Sequence, residues 1–248
     1  MSTLTITTKP IYIVSYPKAG RTWLSIMLGS VFLNLPLKKL IKKRKFFRLK
    51  PHRSSLIFLH GKYHEPNTWP KFFKTLAKKR VIILVRDPRD IIVSLYFHEK
   101  FFAGGKYLKS DLHGFINNQT CGIKNIVEYY NNLLTHIEHP ITIVRYEDLK
   151  DQTEEELRRI ITALGLTADS KQIKAAVVKT KFETMKEKAK TINHISLRLA
   201  DPTNPESGRI RKGKVGGYKD YLTPEEQTFV TEATKELDSR YGYNNLKK

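Results

Sequence analysis

Cysteine is nearly absent from this chain. Cys121 is the single thiol in 248 residues, so no intrachain disulfide and no cysteine-rich zinc site can be built. Such usage suits a reducing compartment, and residues 1–10 lack the apolar core of a secretion signal, so the expected location is the cytoplasm. Without secretion, the acceptor-like triplet Asn118-Gln119-Thr120 reads as a chance match. Long apolar runs are missing as well. None approaches the ~20 residues of a membrane-spanning helix, so no spanning helix is expected. Acidic residues are scarce: 24 Asp and Glu face 45 Lys and Arg, a net charge of +21. That excess favours a polyanionic partner such as an acidic glycan, an anionic membrane, nucleic acid or a multiply charged nucleotide. The plain alternative is a soluble protein that is merely basic. Also absent are an internal repeat, a dividing linker and a carboxylate cluster suited to a metal, and no metal is expected.

What is present is organised around residues 11–24. Ile11-Tyr12-Ile13-Val14-Ser15 is an apolar, β-branched run that reads as a buried strand. Pro17 breaks the strand, and Gly20 permits a backbone that other residues avoid. From Arg21 the apolar residues Trp23, Leu24, Met27, Leu28, Val31 and Phe32 recur at helical spacing. A strand, a short turn and a helix N-terminus together make an anion site, because free N–H groups and the helix dipole point out of the first turn. Lys18 adds a full charge and Thr22 a hydroxyl. The loop is not the common nucleotide loop, since Lys18 precedes Gly20 and no Gly-Lys-[Ser/Thr] occurs there.

Further strands are expected at Ser55–His60, Val81–Arg86 and Ile141–Tyr146, and helices from about Asn67 or Pro70 to Lys79, Pro88 to Phe102, Ile123 to His139, Thr153 to Leu164 and Ser170 to Lys179. A last helix follows Thr223-Pro224-Glu225-Glu226, a strong N-terminal signature. Lys38 to Arg53 is a basic stretch, read either as a solvated helix face plus loop or as a landing site for an anionic acceptor or surface. Residues 103–122 read as a mobile loop and residues 182–209 as mostly irregular. Alternating strands and helices predict an α/β fold: a three-layer α/β/α domain over residues 1–248 with a central parallel sheet. Ligands of such sheets bind beyond the carboxyl ends of the strands, and Lys18, His60, Arg86 and Tyr146 each fall at such an end.

Arg86 closes a strand and Ser94 lies two turns into the next helix. Together they can hold a second phosphate, or Arg86 can pair with Asp90 while Ser94 simply packs. His60 can take a proton from a hydroxyl near neutral pH, with His64 as its rival.

Three strings resemble one family. Tyr16-Pro17-Lys18-Ala19-Gly20-Arg21-Thr22-Trp23 resembles the 5′-phosphosulfate loop of sulfotransferases that use 3′-phosphoadenosine 5′-phosphosulfate (PAPS), usually Tyr-Pro-Lys-Ser-Gly-Thr-Thr-Trp; Ala19 and Arg21 depart from it. The segment from Arg86 to Ser94 resembles their 3′-phosphate motif. Arg211-Lys212-Gly213 resembles the segment that closes over the same phosphate, with Gly217 and Tyr218 replacing its usual aspartate and tryptophan. The resemblance spans about residues 10 to 222 and implies a cytosolic-type sulfotransferase domain with a P-loop-like phosphosulfate loop. It implies that Trp23, Tyr146, Thr180 and Phe182 surround the adenine, and that His60 is the catalytic base, although Phe58 and Leu59 stand where the family has Lys-Thr. It leaves the family's C-terminal dimer motif only partly matched, by Lys219 and Thr223, so the oligomeric state stays open.

The expected reaction is in-line transfer of the sulfuryl group from PAPS to an acceptor hydroxyl, releasing 3′,5′-ADP without a metal. Lys18, His60 and Ser94 are the catalytic candidates. Lys18 to Trp23, Arg86, Ser94, Tyr146, Thr180, Phe182, Arg211, Lys212 and Gly213 are the nucleotide contacts. The charge balance leans toward an acidic or glycan acceptor, and nucleic acid is not an expected partner. Two alternatives remain at this level: a kinase-like phosphotransferase, which would require Mg²⁺, and a basic polyanion-binding module without catalysis.

Overall fold

The computed structural model describes residues 10–48, 55–102, 108, 110–138, 141–191, 200–201, 203–208 and 210–244. Five strands form one sheet: β1 (Ile11–Ser15), β2 (Phe46–Arg48), β3 (Ser55–Leu59), β4 (Arg80–Val85) and β5 (Thr142–Arg145), in the order β2-β3-β1-β4-β5. The pairings β3–β1, β1–β4 and β4–β5 are parallel, whereas β2 runs antiparallel at the edge. In β4 the five residues from Val81 to Val85 are all buried, as expected of a parallel strand covered on both faces.

The helices are α1 (Arg21–Leu33), α2 (Leu37–Lys43), α3 (Trp69–Leu76), α4 (Pro88–Phe102), α5 (Leu112–Ile116), α6 (Ile123–His136), α7 (Tyr146–Asp151), α8 (Thr153–Ala163), α9 (Ser170–Lys179), α10 (Phe182–Thr191) and α11 (Pro224–Lys235). They sort into two packed groups flanking the sheet. One joins α1 to α9 and α9 to α8; the other gathers α3, α4 and α11 around α6. This is the expected three-layer arrangement. No single helix among the described residues is long and apolar enough to cross a membrane.

The chain leaves β1 toward β3 on one side, then crosses to β4 on the other. The sheet therefore changes direction beside β1, and a crevice opens there past the strand ends. Three tyrosines fix the rim of that crevice from below. Tyr16, fully buried, stacks edge-on against Tyr129 of α6 at 5.1 Å and points its hydroxyl at Asn125 (3.3 Å). The Tyr129 hydroxyl accepts the Gly61 N–H (3.1 Å), and the Tyr130 hydroxyl accepts the Arg86 N–H (3.3 Å). One helix thus pins the exits of β1, β3 and β4 together, and the helical periodicity of α6 gave no hint of that task.

Four local expectations require correction. Residues 46–48 form an edge strand rather than part of a loop: Phe46 pairs with Ile57, and the Phe58 N–H donates to the Lys45 carbonyl (2.9 Å). Within 103–122, α5 buries Phe115 and Ile116, its start capped by Asp111 on the Gly114 N–H (3.0 Å). Phe182 opens a helix of ten residues, α10, instead of an irregular segment, and buries Met185 against Ile26, Leu40 and Ile41. The fourth strand ends at Arg145, so Tyr146 is the first residue of α7. Lys50, Arg53, His139 and residues 103–107, 192–199, 202 and 209 lie outside the described residues.

Candidate active site

A cavity of about 730 Å³ occupies the crevice. Ten lysines and arginines line it against two carboxylates, Asp90 and Glu183, a balance that favours an anionic ligand. The volume lies within the range of small-molecule and cofactor sites, roughly 300–1,000 Å³.

The floor is the turn between β1 and α1. Lys18 adopts φ 71° and Gly20 φ 98°, both left-handed. For lysine this conformation costs on the order of 1 kcal/mol, strain of a kind found at sites where backbone must meet a ligand. Gly20 is required twice over: its φ is positive, and a Cβ would lie 2.6 Å from the Tyr146 ring. The N-terminus of α1 has no side-chain cap and no acidic residue in its first turn. By contrast, α9 and α11 carry capping boxes, Asp169 with Gln172 and Thr223 with Glu226. The Trp23 N–H donates to the Gly20 carbonyl (2.9 Å), so the start of α1 offers a ligand the N–H groups of Arg21 and Thr22 together with the dipole. Thr223, counted in the partial dimer motif, is here an N-cap, and Pro224 occupies the first helical position.

Past the ends of β4 and β5 stand Arg86 and Tyr146. The Arg86 guanidinium lies over the Tyr146 ring (4.5 Å), ion-pairs with Asp90 (3.3 Å) and donates to the carbonyls of Lys214 (3.1 Å) and Lys18 (3.5 Å). Arg86 thus makes the expected pair with Asp90 and at the same time faces the cavity. Its Nε is buried without a hydrogen-bond partner. An orphaned donor in a cationic crevice fits an additional acceptor oxygen, such as that of a phosphate. Asp90 also accepts the N–H groups of Gly216 (2.9 Å) and Tyr218 (3.0 Å), so it latches the segment around 213–218 onto α4. Sequence reasoning missed this latch; its one visible sign was the four-residue spacing from Arg86. Ser94, one further turn along α4, lines the same cavity.

That segment closes the far wall. Arg211 bonds Glu206 (2.8 Å) and the Tyr221 hydroxyl and lies over Phe97 (4.4 Å). Lys212 lies over Tyr221 (4.5 Å) and 3.7 Å from Asp220. Gly213 has φ 58°, and a Cβ there would come 2.4 Å from the Phe182 ring, so the backbone rests directly on that aromatic face. Trp23 meets Tyr146 edge-on at 5.7 Å and donates to the Thr180 carbonyl (2.8 Å). Trp23, Tyr146 and Phe182 all line the cavity, a set suited to a flat heterocycle. Ala19 and Thr180 do not line it: both are fully buried, and the Thr180 hydroxyl donates to the Ala176 carbonyl (2.8 Å). The Ala19 N–H turns back to the Tyr16 carbonyl (3.4 Å), and the Thr180 carbonyl holds Trp23.

On the other side of β1, His60 follows the end of β3 and opens into the cavity. Its Nδ1 sits 2.9 Å from the Gly61 carbonyl, which fixes the proton on Nδ1 and leaves Nε2 as the acceptor. Desolvation among the cavity walls, then the positive charge of Arg21, holds the ring down to about 4, so it is neutral at pH 7. His64 does not line the cavity and instead approaches Glu65 (3.4 Å). Arg21, Arg44, Lys45, Tyr63 and His98 also line the cavity. Arg44 and Lys45 belong to the basic stretch whose role the sequence left open; Tyr63 and His98 carried no sequence signal. Among the described residues, no group of three His, Cys, Asp or Glu side chains is arranged to hold a metal ion.

Comparison with known proteins places this geometry. The family model described as "Sulfotransferase domain" matches residues 8–242. Sulfotransferase 1B1 of Mus musculus is 29% identical over 239 residues, covering 86% of this chain and 77% of the mouse protein. Cytosolic sulfotransferase 13 of Arabidopsis thaliana is 23% identical over 256 residues, covering 91% and 76%. Among solved structures, mouse sulfotransferase SULT7A1 complexed with PAP superposes with a TM-score of 0.61 at 21% identity, covering 94% of this chain and 85% of that one. Retinol dehydratase in a complex with retinol and PAP gives 0.60 at 18% identity, covering 96% and 83%. These structural likenesses establish a common fold.

Proposed function

The chain belongs to the sulfotransferase family, and from that premise we propose how its own residues divide the work of moving a sulfuryl group. The activity is PAPS-dependent transfer to an acceptor hydroxyl, with 3′,5′-ADP (PAP) as the second product. The family match over residues 8–242 supports one sulfotransferase domain.

In this reading the uncapped start of α1 and Lys18 hold the 5′ end of the nucleotide. Arg86, Ser94 and Arg211 hold its 3′-phosphate, with Lys212 and the Gly213 backbone closing over it. Trp23, Tyr146 and Phe182 enclose the base. His60 Nε2 takes the proton from the acceptor hydroxyl as its oxygen bonds to sulfur. As the sulfur–oxygen bond to the leaving phosphate breaks, Lys18 and the N–H groups of α1 receive the charge that builds on that oxygen. The strand order supplies the spacing. Adjacent strands lie ~4.8 Å apart, so the exits of β3 and β4 flank that of β1 by roughly one strand on each side. The observation that carries the reading is this three-point layout: an uncapped helix start, a neutral histidine to one side, and a buried arginine with an orphaned Nε to the other.

The test is direct. In a thermal-shift titration, 3′,5′-ADP should raise the melting temperature more than Mg-ATP does, and ³⁵S from labelled PAPS should appear in an acceptor. Preferential stabilisation by Mg-ATP would instead favour a phosphotransferase. Polyanion binding that persists without Lys18 and His60, with no transfer, would favour the non-catalytic module.

The acceptor bears a hydroxyl. The basic excess supports an acidic or glycan acceptor. The Arabidopsis thaliana relative is named a cytosolic sulfotransferase, which supports a cytoplasmic location for this one.

A further inference from the structure

The cations of the cavity differ in how they are compensated. Arg86, Arg211, Lys212 and Lys214 each have a carboxylate within ion-pair distance. Arg21, Arg44 and Lys45 have none among the described residues. The one side-chain hydrogen bond given to Arg44 goes to its own backbone, at the Ile41 carbonyl (2.9 Å). All three line the cavity, and the charges of Arg21 and Lys45 act on His60; Arg44 and Lys45 stand apart from the residues assigned to the nucleotide, whereas Arg21 begins the helix that holds its 5′ end. They are brought there by two different elements. Arg21 is the first residue of α1, half-buried under the crevice. Arg44 and Lys45 lie in the turn between α2 and β2, which the antiparallel pairing of β2 with β3 clamps beside the exit to His60.

Three cations in one wall repel one another. Burial lowers the affinity of Arg21 and Arg44 for their protons, and the charge of Arg44 adds to that effect on Arg21. Arg21 nevertheless stays protonated at pH 7, since it is lowered only to about 10. A wall of this kind is destabilising unless an anion occupies it. The nucleotide's phosphates are already provided for around Lys18 and Arg86. Resting on the reading of the site given above, we propose that Arg21, Arg44 and Lys45 form an anion subsite for the acceptor. The acceptor would carry a carboxylate or sulfate ester on the same molecule as the hydroxyl presented to His60, and a sugar acid or already sulfated glycan has that chemistry. Arg21 then links the two substrates, because it sits on the phosphosulfate loop and faces the acceptor.

The experiment is isothermal titration of the full chain saturated with 3′,5′-ADP. Three probes share one scaffold: a glucuronate-terminated trisaccharide, its carboxyl-reduced form, and the reduced form bearing one O-sulfate. The acidic probes should bind at least about tenfold more tightly than the neutral one, the gain expected of charge-assisted contacts. In the Arg44→Gln/Lys45→Gln variant that preference should shrink to below about threefold, while 3′,5′-ADP still raises the melting temperature. Lys45→Gln alone, at an exposed position, repeats the test if the double variant does not fold. Preference for only one acidic probe would identify which anion the subsite takes. Equal binding of neutral and acidic probes, or a preference that survives in the variants, would overturn the proposal. If 3′,5′-ADP fails to stabilise even the unmodified protein, the reading of the site falls first; if it stabilises but no preference is found, only the subsite falls.

Discussion

Around Arg86, past the end of β4, three of the cavity's cations rest in ion pairs: Arg86 on Asp90, Arg211 on Glu206, Lys214 on Asp220. On the β2–β3 side, Arg21, Arg44 and Lys45 face the cavity around a neutral His60, with no such pairs among the described residues. The two halves solve different problems. A paired, aromatic-backed guanidinium is held in place before its ligand arrives, so little ordering remains to be done on binding. A histidine that must accept a proton needs the opposite surroundings. Desolvation and then positive neighbours keep it unprotonated, whereas a nearby carboxylate would raise its pKa and remove its lone pair from use. In the proposed reading, the first half suits the grip on a nucleotide and the second the work of a base.

The comparison can be broken from either side, and the largest effect is expected at the base. His60→Asn should lower kcat by roughly 10²–10⁴-fold, the usual scale for a general base, and leave the 3′,5′-ADP-induced melting shift intact. Loss of both together would mean that His60 supports the fold instead. Lys18→Ala should cost about 3 kcal/mol of barrier, on the order of 10²-fold in turnover, with little change in melting temperature. Undiminished turnover would remove Lys18 from the mechanism. Arg86→Gln should weaken 3′,5′-ADP by about 2 kcal/mol while sparing 5′-AMP, which lacks the 3′-phosphate. Equal losses on both nucleotides would show that Arg86 acts only through the Asp90 latch. Calorimetry with the two nucleotides separates those outcomes.

Smaller effects sharpen the contrast. His60 carries its pKa down near 4, so the neutral form persists well below the ordinary histidine value and is lost only as pH falls through about 4. The acid limb of kcat/KM should therefore lie far below 6.5. Arg21→Thr removes the second cause of that depression and should move the limb upward. A limb that stays in place would mean that desolvation alone sets it. Gly213→Ala should destabilise by about 1–3 kcal/mol, because it meets both a positive φ and the Phe182 ring, whereas Gly216→Ala meets only the positive φ and should cost about 1 kcal/mol. Chemical denaturation of the two variants compares them directly.

Much of the nucleotide half was legible in the chain because its signals are local. Lys18, Gly20 and the start of α1 sit within one strand–turn–helix unit, and Arg86 with Ser94 within the next. The parallel sheet followed from apolar strands separated by helical periods. Of the other half only His60 stood out, because the remaining parts meet only through pairing over distance. Phe46 to Arg48 is too short and too basic to read as a strand until β3 supplies its partner. Tyr129 and Tyr130 look like ordinary core residues of an amphipathic helix until their hydroxyls are found on Gly61 and Arg86.

By itself the sequence offered the candidates: a turn that can cradle an anion, an arginine past a strand that can fork onto a phosphate, and a histidine just beyond another strand. Backbone conformation over a few residues decides those things, and glycine, proline and periodicity report it. The tertiary structure alone decided which charges would be neutralised and which left standing. Ion pairing depends on what folding brings within a few ångströms, and Asp90 reaching the 216–218 backbone, or the α2–β2 turn settling beside His60, is a property of the packed sheet and helices.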